Sequence, residues 1–219
     1  MRISDLHAIA AVLNSTVGNF LYLAIHATES LQGTYSHVYP VAIKGARLPS
    51  ADRVREALRL DEIVNDGAFT GDFGTAPARR ANWWSICSAL GQRLHEIAQA
   101  MFDRAATLVA YSAHVIGTAV GPSTVEDLAS SGLSDGEFIS RLERAIRGRL
   151  DGAAFGVIRD ELAAFRLDLA ALIAEAQAIE LLNDLTVADA FALGPDQREY
   201  VREYVASRGS LRGNRLWPR

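Results

Sequence analysis

Apolar side chains recur at steps of three and four along most of the chain, the spacing of one face of an α-helix. Leu6, Ile9, Leu13, Val17, Phe20, Leu21 and Ala24 make the first such face. They predict a helix over about 5–31, opened by Ser4 and closed at Gly33. Residues 32–49 are turn-rich, with at most a short extended piece near 38–43 that Pro40 confines to an edge. Ser50 then opens a short helix that Asn65-Asp66-Gly67 stops.

A long helix is expected over about 77–120. Pro77 suits its first turn, and Gly121-Pro122 ends it. Its apolar face is Trp83, Cys87, Leu90, Leu94, Ile97, Met101, Ala105 and Leu108. The opposite face changes from Gln92, Glu96, Gln99 and Asp103 to Ala106, Ala110, Ala113 and Gly117, as in a helix entering the middle of a bundle. Ser123 with Glu126, and Ser134 with Glu137, read as capping boxes opening two short helices.

The cleanest pattern lies over about 153–184. Phe155, Ile158, Leu162, Phe165, Leu169, Leu172, Ala176 and Ile179 alternate steps of three and four as a heptad seam. Whether that seam packs within one chain or between chains is open at this level. Short helices over 187–193 and 195–207 follow, divided by Gly194-Pro195. The fold class is therefore all-α: a helical bundle of residues 1–207 built on long helices at 5–31, 77–120 and 153–184, with a basic tail at 208–219.

Composition narrows the function. The 219 residues carry a net charge of −4, which argues against a nucleic-acid coat. All basic residues but Lys44 are Arg, a usage that fits coding bias as well as any recognition role. One cysteine, Cys87, leaves no disulfide framework within the chain and no cysteine-based zinc site. His7, His26, His37, His95 and His114 have none of the spacings of metal-binding helices. Gly67, Gly71 and Gly74 lack the Lys-Ser/Thr ending of a phosphate loop. No cofactor and no metal are expected. The uncharged run over 8–25 approaches the length of a membrane span, but Asn14, Ser15, Thr16 and Asn19 interrupt it. A buried core helix in a cytoplasmic protein is the expectation.

Two groups of residues stand out. Trp83, Trp84, Phe69, Phe73, Arg212, Arg215 and Trp217 belong to the residue types that anchor protein interfaces. Tyr111, Ser112 and His114 fall where the central helix turns small and apolar, and could line a pocket. The leading expectation is a non-enzymatic assembly protein that self-associates or docks another protein through helix faces and the Arg/Trp tail. A bundle enzyme or ligand-binding protein with a Tyr111/His114 pocket is the alternative. A membrane-active protein using the 8–25 helix is the second.

Overall fold

The computed structural model describes residues 3–26, 48–49, 74–130 and 132–207. Among them the fold is all-α, a helical bundle with eight helices and no strand. These are α1 (Ile3–Asn14), α2 (Thr16–His26), α3 (Ala76–Ala81), α4 (Trp83–Ile116), α5 (Ser123–Ala129), α6 (Asp135–Ala145), α7 (Gly152–Ala190) and α8 (Pro195–Ser207). The extended piece near 38–43 and the helix after Ser50 lie outside the described residues.

The expected 5–31 helix is broken at Ser15. Two helices meet there at 72°. The Ser15 hydroxyl donates to the Val12 carbonyl at 2.6 Å and accepts from the Gly18 amide at 3.0 Å. One side chain thus ends α1 and caps α2. Gly18 is required at this corner: a Cβ there would lie 2.1 Å from the Val12 carbonyl oxygen. The expected 77–120 helix is likewise divided. Thr75 caps α3, and Asn82 turns back to the Ala78 carbonyl at 3.1 Å through its side chain. α4 then runs to Ile116 and ends at Gly117, whose φ is +67°. The helix expected over 187–193 does not stand alone, because α7 continues unbroken to Ala190.

The capping box at Ser134 forms as expected. Its hydroxyl accepts from the Glu137 amide at 3.3 Å, and the Glu137 carboxylate accepts from the Ser134 amide at 2.9 Å. The box expected at Ser123 does not form. Pro122 takes the cap position with helical torsions and offers no side-chain bond, so Ser123 already lies inside α5.

The chain divides into two compact units. Among the described residues, the first comprises those up to 94 together with 178–207, and so joins early and late parts of the sequence; the second comprises those within 95–177. In the first, Ala8, Ala11, Val12, Val17, Trp83, Cys87, Val187, Ala188 and Val201 form a buried cluster, with Phe20, Trp84 and Leu193 packed on it. α1 comes close enough to α4 that a Cβ on Gly91 would lie 2.4 Å from the His7 carbonyl oxygen. The apolar side chains of the 8–25 run are largely spent in this core. No single described helix is long and apolar enough to cross a membrane; only the bent α1–α2 pair passes on length and composition.

In the second unit Ile97, Met101, Ala105, Leu108, Leu128, Leu133, Phe138 and Leu142 are buried with Ile158, Leu162, Phe165 and Leu169 of α7. The heptad seam from Ile158 to Ile179 is therefore largely buried within one chain, and only Phe155 at its start is exposed. Arg166 pairs with Asp135 at 2.9 Å and donates to the Leu133 carbonyl, tying α7 to the start of α6.

Candidate interaction site

The first unit carries a small open cleft of about 100 Å³. Thr16 and Val17 of α2, Leu181, Asp184, Leu185 and Ala188 of α7, and Leu193, Arg198, Val201 and Arg202 line it. Each wall is fixed by a local device. At the α2 wall, the Asp184 carboxylate accepts from the Thr16 amide at 2.7 Å and from its hydroxyl at 2.6 Å. An anion on the first-turn amides of a helix satisfies donors that otherwise have no partner and opposes the positive end of the helix dipole.

At the α7–α8 corner, Leu193 donates back to the Ala188 carbonyl at 3.0 Å and Ala192 to the Asp189 carbonyl at 3.0 Å. Ala192 has φ +55°, so this is a Schellman ending with alanine in the left-handed position. The turn swings Leu193 onto the core. Pro195 then starts α8, and the Gln197 side chain accepts from the Gly194 amide at 2.8 Å.

Beneath the α8 wall lies Asp189. Arg79 of α3 donates to it through Nε at 2.6 Å, and Arg198 donates to its other oxygen. Arg79 also donates to the Gly74 carbonyl at 2.6 Å, and Arg198 to the Leu193 carbonyl at 2.9 Å. A buried carboxylate flanked by two guanidinium groups, each with a further backbone acceptor, is compensated as a buried charge must be. It holds α3, the end of α7 and α8 together. Arg202 sits further out and pairs with Glu199 at 2.7 Å.

The polar groups of the cleft are thus occupied in fixing helices. Thr16 and Asp184 resemble an activated hydroxyl in distance alone, since both carboxylate oxygens are spent on the start of α2. Among the described residues no group of three or more His, Cys, Asp or Glu side chains is placed to hold a metal ion.

A second feature lies on the outer side of α7. Along α7, Ala164, Leu167, Ala171 and Ala174 are exposed at steps of three and four in the second unit, and Ala178, Leu181 and Leu185 in the first. Leu167 is 75% exposed, Leu181 62% and Leu185 36%. This is a second heptad-like stripe on the same helix, out of phase with the buried seam. It holds no charged residue from 164 to 185. Leu181 and Leu185 also line the cleft.

The residues singled out by sequence fall elsewhere. Trp83 is buried in the core of the first unit, and Trp84 is half-buried against it, their rings edge-to-face at 5.3 Å. Trp83 has no surface left to offer a partner. Phe69, Phe73, Arg212, Arg215 and Trp217 lie outside the described residues. Tyr111, Ser112 and His114 are not brought together: Ser112 is buried, whereas Tyr111 and His114 are exposed. The helical turn of about 100° per residue separates them, so the small apolar face expected to enclose His114 does not. Asp184 and Asp189 serve as an intramolecular helix cap and a buried ion centre.

No family model, curated protein or solved structure matches this chain.

Proposed function

We propose that this protein is a non-enzymatic helical assembly protein that associates with protein partners, its own copies included, through the outer face of α7. The observation carrying this reading is the exposed alanine and leucine of α7, Ala178, Leu181 and Leu185 in the first unit and Ala164, Leu167, Ala171 and Ala174 in the second. Single exposed leucines are ordinary on protein surfaces. Seven successive positions of one helical face without a charge are not, because a solvated face gathers charge, as Arg159, Asp160 and Glu161 do on this same helix. Alanines between the leucines let a second helix backbone approach closely. Asp168 and Glu175 flank the stripe and give it a polar rim.

Absolute mass by light scattering across a dilution series tests the reading. The expected result is a species heavier than the 23.7 kDa chain that Leu167→Arg or Leu181→Arg reduces toward monomer. An assembly unchanged by both substitutions overturns it. So does a monomer that retains no protein partner through this face.

A further inference from the structure

We propose that residues 3–26 form a two-state element, held bent at Ser15 by α7 and straightening into one continuous helix when that hold is released. The apolar positions Leu6, Ile9, Leu13, Val17, Phe20, Leu21 and Ala24 keep steps of three and four straight through the corner. Residues 6–24 contain no proline, and Gly18 is their only glycine. Their local preference is for a single helix, so the 72° bend is imposed by tertiary contact.

α7 supplies that contact. In a continuous helix the Ser15 amide donates to the Ala11 carbonyl and the Thr16 amide to the Val12 carbonyl. In the bent form the Ser15 amide donates to Val12 instead, at 3.1 Å. Bending thus sets free the Ala11 carbonyl and the Thr16 amide. Two successive residues of α7 take up these two groups. The Asn183 side-chain amide donates to the Ala11 carbonyl at 2.8 Å, and the Asp184 carboxylate accepts from the Thr16 amide at 2.7 Å. The hold is imperfect, because Asn183 Oδ1 is buried without a hydrogen-bond partner. It also leaves no room for a Cβ at Gly18.

α1 is the anchored arm, since its backbone lies against Gly91 of α4. α2 is the arm that swings. Its remaining ties are to α8, where the Phe20 ring meets Tyr200 and Tyr204 edge-on at 6.1 and 5.2 Å. Thr16 and Val17 form part of the cleft wall, so the cleft opens as α2 leaves. The bend of the segment and the access to the cleft are therefore one equilibrium, which any group preferring the open form shifts.

Spin-label distances in the full chain test this. Leu6 and Ala24 are exposed and each takes a label through an introduced cysteine, whereas Cys87 is buried. A straight helix separates the two positions by about 27 Å at about 1.5 Å per residue, and the 72° bend shortens this to about 22 Å. The expected result is the shorter distance in the otherwise wild-type chain, and a shift of the main population to the longer one when Asn183→Ala and Asp184→Ala are combined. Gly18→Ala leaves α7 intact and blocks only the bent form. It is expected to give the longer distance with the helical circular dichroism signal undiminished. Such a shift in either variant, with helicity kept, supports the two-state element. The shorter distance in both variants overturns it, as does an otherwise wild-type chain already at the longer one. A broad distribution with lost helical signal in both variants also overturns it, because the segment then has no second ordered state.

Discussion

Asp189 and Arg79 stand 110 positions apart in sequence and meet at 2.6 Å, with the Asp189 side chain only 2% exposed. Arg198 closes the same carboxylate from the other side. Replacing Asp189 by Ala leaves two partly buried guanidinium groups facing each other without their shared anion. A loss of about 3 kcal/mol in unfolding free energy is expected, the usual cost of breaking a buried pair from one side. The urea midpoint of Asp189→Ala against wild type measures it. A change below about 1 kcal/mol, the scale of an exposed pair, contradicts the compensated-charge account.

Glycine-to-alanine substitutions separate two kinds of helical glycine. In an open helix the change gains about 0.5–1 kcal/mol through backbone entropy. Gly156 in α7 has nothing within 4 Å of an added Cβ, so Gly156→Ala stabilises by that amount. Gly91 in α4 faces the His7 carbonyl oxygen at 2.4 Å, so Gly91→Ala forces α1 away. A loss of about 2 kcal/mol is expected there, as for overpacking. Thermal midpoints of the two variants should move in opposite directions.

Two helix ends put an ordinary residue where glycine is favoured. Arg147 after α6 and Ala192 after α7 have φ of +53° and +55°. Each donates in a Schellman pattern that fixes its torsions. Arg147→Gly and Ala192→Gly relieve the steric cost, and part of that gain is returned as unfolded-state entropy. A net increase of roughly 0.5–1 kcal/mol in stability is expected for each, read from denaturant midpoints.

Glu137 gives the pH-dependent signal. The Ser134 hydroxyl, then the Ser134 amide, hold its carboxyl below the ordinary carboxylate range. The folded value lies under the unfolded one, so the cap's contribution is present above the unfolded value and lost as pH falls through the folded value. A carboxyl-carbon NMR titration should show Glu137 protonating later on acidification than in Ser134→Ala. Coincident titrations in the two proteins leave the capping box without electrostatic effect.

Ser112 tests the pocket suggested by sequence. Its hydroxyl is buried in α4 and has no hydrogen-bond partner. Removing an unsatisfied buried polar group avoids its desolvation cost, so Ser112→Ala stabilises by about 1 kcal/mol. A loss of similar size instead shows that the hydroxyl is engaged.

The helices were legible because their signals are local. The 3.6-residue period, the Ser134–Glu137 box and Gly194-Pro195 each act within a few residues. The break at Ser15 was not, because it depends on Gly18 folding back on Val12 and on Asp184 arriving from far along the chain. The same holds for Asp189: nothing near it in sequence marks it as buried, since Arg79 comes from another helix. The outer stripe of α7 was present in the sequence but hidden by its alanines. The larger side chains of the Ile158–Ile179 seam dominate any reading of that helix, and Leu167, Leu181 and Leu185 show their common phase only once the seam is known to face inward. Tyr111 and His114 lie exposed for the converse reason. A run of small residues was read as a buried face, and alanine tolerates exposure.

The first unit draws its two parts from opposite ends of the chain, which sets a schedule during synthesis. When α1, α2 and α3 have emerged from the ribosome, the residues that complete them, Asp184 against Thr16 and Asp189 against Arg79, have not been translated. At 5–20 residues per second the delay between residues 94 and 178 is roughly 4–17 s. The stretch 95–177 is contiguous and gains its own partners during that interval. The nascent N-terminal segment therefore has only the start of α4 to pack on until Val187, Ala188 and Val201 arrive to complete its core.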